Sequence, residues 1–446
     1  IKQHLPQHLL YLLIQTQVYF YFQLYGYMEK SMLTIRKPRG TNDFFYESAS
    51  KLEFIEKKIK DIVKLYGYGR IRTPIFESTD LFIRGIGEDT DIVGKEMFTF
   101  EDRGGRSLAL RPEGTASVVR AYIENSMQNE FSINKLFYIG TMYRAERPQK
   151  GRYREFNQFG MECIGTSSPL IDAEVIALNI NILKEFGIEN ANLIINTVGC
   201  PKCKPNYNKA LREAIGNRKE ELCETCKRRY ETNILRILDC KNEKCKEIMK
   251  DIPKFYDYVC EECKEHFDKL CEELNKINQK FIIEPMLVRG LDYYTKTVFE
   301  VQTNALGSQS AILGGGRYDN LIGLFNSGKN IPAIGSAMGL ERLLIVLENN
   351  QNIIKDRLDI FVIAFKETEK EVLKVMQELR SSNISCDCDF SVKSIKNQFK
   401  SANKRNSKFA LILGEDELKR NSCKLKNMDT SEEKEISLNE IYRNII

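Results

Sequence analysis

The chain has 446 residues, 42% of them hydrophobic and 29% charged, and a formal net charge of +5. That length is too great for one core and implies two or three domains. The composition excludes a disordered or low-complexity chain, and the mild positive balance permits a nucleic-acid partner without requiring one. Only three histidines occur, His4, His8 and His266, so a histidine base or Ser-His-Asp triad is not the expected engine. No GxxxxGK[ST] loop is present, which removes P-loop phosphate binding.

Leu5 to Tyr27 carries no charge and is long enough for a membrane span, but Gln15, Thr16, Gln17 and Gln23 interrupt it. Residues 1–31 are therefore expected to be an extension, with translation beginning at Met28 or Met32; a membrane anchor is the alternative reading. Lys51 to Tyr66 sets Leu52, Ile55, Ile59, Ile62 and Val63 at helical spacing, and Gly67 and Gly69 end that helix. RIRTPIFES is extended, and SLALRPEGTASVVRAYI reads as strand, turn and helix. Leu136–Arg144 and Phe156–Ile164 read as antiparallel strands joined by a basic loop, Val298–Thr303 and Ala311–Gly316 as further strands, and Gly335–Leu347 as a helix. The fold class is α+β with a mainly antiparallel sheet. Residues 191–280, rich in Lys, Glu and Cys, read as a helical insertion. It divides a domain of residues 32–190 and 281–352. After NNQN the strands DIFVIAF and FALILG alternate with helices, giving an α/β domain over 356–446.

YRAERPQKGRYREFNQF raises the first chemical question. Arg144, Arg147, Lys150, Arg152 and Arg154 crowd one loop against Glu146 and Glu155. Guanidinium forks suit phosphate bidentately, and Gly151 lets the backbone turn, so a triphosphate or a nucleic-acid end is the natural anion. LRPEGT places Glu113 and Thr115 after a turn, where a carboxylate can pair with a substrate ammonium or cap a helix. LVRGLDYYTKTVFEV brings Arg289, Tyr293 and Tyr294 to a glycine turn. Gly314, Gly315 and Gly316 permit close approach of a ligand to the backbone, and GSAMGLERLL carries Arg342. Without a protein base, the chemistry left is electrostatic: arginines stabilise a nucleotide's charge while a substrate carboxylate is its own nucleophile.

Together these stretches resemble histidyl-tRNA synthetases, a family of class II aminoacyl-tRNA synthetases, over nearly the whole chain after Thr34. YGYGRIRTPIFE resembles motif 1 at the dimer interface. FYIGTMYRAERPQKGRYREFNQFGMECIG resembles motif 2, and AIGSAMGLERL resembles motif 3. RGLDYYTKTVFE and LGGGRYDNL resemble the family's two histidine segments. The resemblance implies an antiparallel-sheet catalytic domain with a C-terminal anticodon-binding domain. It implies ligation of L-histidine to tRNA(His) through a histidyl-adenylate, with ATP and Mg2+, by a cytoplasmic homodimer. By the same resemblance Arg144, Arg152 and Arg342 hold ATP, and Arg289 acts with Arg144 in adenylate formation. Glu113, Thr115 and Gln158 take the α-ammonium side of histidine, and Glu162 with Tyr293 or Tyr294 takes the imidazole. A fold-related alternative is the non-catalytic regulatory subunit of ATP phosphoribosyltransferase.

The cysteines depart from that pattern. Cys200-x2-Cys203, Cys223-x2-Cys226, Cys240-x4-Cys245 and Cys260-x2-Cys263 fall in the insertion, with His266 close behind. Without a secretory signal, such spacing reads as a structural Zn2+ site or as reduced thiols, and spacing does not say which pairs share an ion. In the last domain, SVKSIKNQFKSANKRNSK holds six cations and no acid, with Ile395, Phe399 and Ala402 as its apolar stripe.

Overall fold

The computed structural model describes residues 35–446 except 89, 310, 327, 349–356, 392–393, 439–440 and 442–446. The expectation for residues 1–31 lies outside the described residues. Two compact units are present: residues 66–343, together with the segment up to Asp43, and residues 344–446 together with Phe44–Leu65.

The larger unit is built on an eight-stranded sheet. Its order is Gly69–Arg70, Asn134–Tyr143, Glu155–Ile164, Ala333–Gly339, Ala311–Arg317, Thr295–Gln302, Asn192–Thr197 and Ile282–Ile283. Only the two outermost pairings are parallel, so the mainly antiparallel expectation holds. The two strands flanking the basic loop pair from Asn134↔Ile164 to Tyr143↔Glu155. Phe159, Met161 and Cys163 on the second are fully buried, each such apolar side chain contributing roughly 1.5–3 kcal/mol. One expectation fails: Ala333–Gly339 is a strand, and the helix begins only at Leu340. Small residues are needed there for packing, not for a helix start. A Cβ at Gly335 would displace the Glu162 carboxylate, and one at Gly315 would strike the Gly335 carbonyl. The strand Asn192–Thr197 also belongs to this sheet, although its residues read as part of the insertion.

The helix Pro169–Glu185 starts on a Ser168 cap, whose hydroxyl accepts from Leu170 N at 3.3 Å, with Pro169 in its first turn. Its fully buried Asp172 ties several elements together. Its carboxylate accepts from Thr297 Oγ1 (2.6 Å) and Arg317 Nη1 (2.9 Å) and lies 2.8 Å from His266 Nε2. His266 belongs to the insertion helix Glu261–Lys276, so this cluster fastens the insertion to the sheet. Buried charges of this kind persist only where they are paired.

The smaller unit has a five-stranded sheet, in the order Cys386–Cys388, Ile360–Ala364, Phe409–Leu413, Ser422–Asn427 and Glu433–Ser437. The first two pairings are parallel, as the alternating pattern predicts; the closing hairpin is antiparallel. Its basic helix, Ile395–Lys404, packs through Ala402 and Phe399 as expected, but not through Ile395. Ile395 is exposed, and the buried positions are Ala402 and Gln398. Gln398 Nε2 donates to Ala364 O at 2.8 Å, and its Oε1 accepts from Ala364 N at 3.0 Å. Arg405 and Lys408 pair with Asp387 and Asp359, both at 2.8 Å, while Lys396, Lys400 and Lys404 are exposed. Gln398→Ala is expected to cost about 2–4 kcal/mol, because it strands both backbone groups of Ala364. A loss of unfolding free energy below about 0.5 kcal/mol in denaturant titration would show that the amide does not hold this helix. No described helix is long and apolar enough to cross a membrane.

Candidate active site

The basic loop opens at the end of one long strand and re-enters at the start of the next. Gly151, at φ +74°, makes its tip, where Gln149 and Arg152 bridge their backbones. The five cations do not act as a block. Arg144 and Arg152 face a cavity of about 450 Å³, whereas Arg147, Lys150 and Arg154 are not in its wall. Arg144 Nε donates to Pro112 O at 3.0 Å, and the guanidinium sits 5.4 Å from the Phe156 ring centre. Arg152 pairs with Glu146 at 3.1 Å. Arg342 reaches the same wall from the next helix, donating to Gly151 O at 2.9 Å and Ala311 O at 2.8 Å. Burial, then the Arg152 and Arg144 charges, lower the pKa of Arg342. Three guanidinium groups thus face one space, an arrangement chemically suited to an anion.

The other end of the cavity is acidic and phenolic. Glu113 is buried; its carboxylate accepts from Thr115 N at 2.6 Å and Ala116 N at 2.8 Å, so it caps the helix Thr115–Glu124 while lining the cavity. Of the two readings of LRPEGT, the helix cap is formed, and the same carboxylate faces the cavity. Gln158, Tyr293 and Tyr294 line the same space, and Gln158 Oε1 is buried without a protein partner. Arg289 closes this end. Its guanidinium pairs with Glu300 and lies over Gly314, where a Cβ would come within 2.5 Å of it. What approaches the glycine run closely here is protein, the Arg289 side chain over Gly314, rather than the ligand expected from the sequence.

Glu162 is placed differently from the sequence reading. It is 1% exposed and stands one layer behind the cavity wall. Thr115 Oγ1 donates to its Oε1 at 2.8 Å, and Tyr318 OH donates to its Oε2 at 2.5 Å. Thr115, Tyr318 and Gly335 are all cavity residues, so two hydroxyls and a residue without a side chain lie between the carboxyl and the cavity. Burial raises its pKa to about 8, against the lowering effect of those hydrogen bonds.

Sequence reasoning missed Tyr318, whose position in LGGGRYDNL was its only signal. It also missed Glu300, Glu146, Asp239 and Lys241 in the wall. The last two come from the insertion, beside Cys240. Within the insertion the eight predicted cysteines resolve into two groups, Cys200–Cys203–Cys260–Cys263 and Cys223–Cys226–Cys240–Cys245.

The comparisons agree with this geometry. The histidyl-tRNA synthetase family description matches residues 40–343, and the anticodon-binding domain description matches residues 359–446. A histidine–tRNA ligase of Clostridioides difficile (strain 630) is 46% identical over 417 residues, covering 93% of this chain and 99% of the relative. Apo histidyl-tRNA synthetase of Staphylococcus aureus superposes with a TM-score of 0.77 at 36% identity, covering 92% of this chain and 100% of that one. An ATP phosphoribosyltransferase regulatory subunit/histidyl-tRNA synthetase from Bacillus halodurans, at 23% identity and TM-score 0.61, shares the fold. With its catalytic and anticodon-binding regions both matched, the chain belongs to the histidyl-tRNA synthetase family.

Proposed function

We infer that the chain joins L-histidine to tRNA(His) in two steps. A histidine carboxylate oxygen attacks the α-phosphorus of ATP and pyrophosphate leaves; a ribose hydroxyl at the tRNA end then attacks the histidyl carbonyl and AMP leaves. The carrying observation is that three phosphate-suited arginines and a set of carboxylate, amide and phenol groups share one cavity of about 450 Å³. Arg144, Arg152 and Arg342 hold the phosphates. Glu113, Thr115 and Gln158 take the α-ammonium group. Tyr293, Tyr294 and the Glu162–Tyr318 pair take the imidazole. Arg289 bridges the carboxylate and the α-phosphate, where charge develops in the transition state. A pocket that satisfies every histidine hydrogen bond rejects analogues lacking them.

Mg2+ would enter with the ATP phosphates, whose charge it offsets. The hard oxygen ligands it requires are available beside the arginines, in Glu146 and Glu341. A structural Zn2+ in the insertion belongs to the same reading, as does a reducing, cytoplasmic compartment that keeps the cysteines as thiols. A homodimer is supported by exposed apolar side chains on and beside the motif 1 segment: Ile75, Phe76 and Phe100 are 44%, 54% and 44% exposed.

ATP–pyrophosphate exchange, run separately with each amino acid, tests the reaction. Exchange with histidine alone is expected. Exchange with none, in folded protein, would favour the non-catalytic regulatory reading instead.

A further inference from the structure

We propose that the two cysteine groups are separate tetrathiolate zinc sites, and that the Cys223–Cys226–Cys240–Cys245 ion positions the Arg289 end of the active site. The second half rests on the adenylation reading above; the first does not.

The sulfur geometry carries the first half. Within each group the four Sγ atoms all lie within 4.8 Å of one another. The individual separations are 3.5 Å for Cys200–Cys203, 4.0 Å for Cys200–Cys260, 3.9 Å for Cys203–Cys263 and 3.9 Å for Cys223–Cys240. A zinc–sulfur bond of roughly 2.3 Å gives a tetrahedron with sulfur edges of about 3.8 Å. A disulfide would need one pair far closer, and all of these cysteines are free. A four-iron cluster would hold its ligand sulfurs outside a cube of metal and sulfide, wider than these groups allow. Backbone amides complete each site: Cys260 N donates to Cys203 Sγ at 3.1 Å, and Cys223 N to Cys245 Sγ at 3.3 Å. Such donors offset thiolate charge around a metal. The x2 spacing has a local cause. Cys223 and Cys260 occupy the positions just before the helices Glu224–Thr232 and Glu261–Lys276, and each partner cysteine lies in the first turn, so both sulfurs face one side. The pairing is nested, the inner site closing 223–245 and the outer one enclosing it.

The chain between the inner cysteines carries the second half. Asp239 and Lys241, on either side of Cys240, line the active-site cavity. Arg236 Nη1 donates to Arg289 O at 2.9 Å, and Asn233 Nδ2 donates to Asp292 Oδ1 at 2.9 Å. Arg229 and Arg236 both reach Asp91, at 2.7 and 3.5 Å. The turn that carries Arg289 is therefore held by residues whose own path is fixed between Cys226 and Cys240. A small irregular lobe of short helices gains most of its order from such a staple.

The test uses the full chain, purified with thiols reduced. Elemental analysis is expected to give two zinc ions per chain. Cys203→Ser and Cys263→Ser should each lose one ion, and Cys226→Ser and Cys245→Ser should each lose the other. The positioning role is read in histidine-dependent pyrophosphate exchange. Cys245→Ser and, in zinc-replete protein, Arg236→Met should each lower kcat about 10- to 100-fold, with smaller changes in the histidine KM. The double variant should lose little more than either single one, because both act through the Arg289 turn. Unmodified protein without zinc, or with stoichiometric iron instead, overturns the metal assignment whatever the variants do. Additive losses in the double variant overturn the positioning role and leave a plain structural staple. Two zinc ions in a protein that exchanges with no amino acid would leave the metal sites standing and remove the adenylation reading.

Discussion

Arg289→Ala is expected to reduce histidine-dependent pyrophosphate exchange by about 10²–10³ in kcat, the range for removing one preorganised donor to transition-state charge, while the affinity for histidine changes little. The half-buried guanidinium is held against Glu300 and Gly314, with the residue's backbone carbonyl held by Arg236. It is thus positioned before any substrate arrives. Glu300 offsets part of its charge in the free protein, and the phosphate and carboxylate oxygens compete for the same donors as the reaction proceeds. Its contribution therefore grows toward the transition state, which is the condition for raising kcat rather than tightening ground-state binding. Arg289→Lys should recover little, because an ammonium cannot span two oxyanions as a planar fork does. Isothermal titration with histidine, run beside the exchange assay, separates the two effects. Exchange within a few-fold of the unmodified protein would remove Arg289 from the reaction.

What the sequence made legible follows from the range of the interactions involved. The strands flanking the basic loop were readable because their partners are joined by a short connection, and the loop's arginines because five cations crowd one short loop. Which of the five matter was not readable. Arg144 and Arg152 reach the cavity only because strand register and the Gly151 turn aim them there. Gly335–Gly339 read as a helix start because GSAMG lacks the β-branched density of a strand; its extended form is imposed by Glu155–Ile164 and Ala311–Arg317 on either side. The Tyr318–Glu162 bond joins a strand residue to one just past the end of another strand, far apart in the chain. The cysteine pairing is hidden for the same reason: spacing shows that two sulfurs share a helix turn, whereas only the path of the intervening lobe decides which turns meet. Gln398 was passed over because an amide on an otherwise polar helix carries no burial signal; its use is to bond both backbone groups of a strand residue.

Glu162→Gln is expected to raise the histidine KM about 10- to 100-fold, matching a lost charge-assisted hydrogen bond of roughly 1.5–3 kcal/mol, and to remove a pH dependence from both binding and stability. With its pKa raised to about 8 by burial, Glu162 keeps its proton in the free protein at pH 7. A neutral imidazole reaching the Tyr318 and Thr115 hydroxyls can take that proton and become the imidazolium partner of a carboxylate. Between the usual imidazole pKa of about 6.5 and the Glu162 value of about 8 this needs no proton from solvent, so the histidine KM should be lowest in that window. Above it, the free protein has ionised and a proton must be taken up; below it, free histidine must give one away. The sign for stability is separate. A carboxyl whose folded pKa lies above its unfolded value of 4.5 holds more protons when folded, so stability falls as pH rises between the two values. The full difference, from 4.5 to about 8, corresponds to about 4–5 kcal/mol at 1.36 kcal/mol per unit. Denaturant midpoints from pH 5 to pH 8 should therefore fall more steeply for the unmodified protein than for Glu162→Gln, whose amide does not titrate. Parallel profiles would mean that Glu162 is already ionised in the free protein, and the imidazole would then have to find its charge elsewhere.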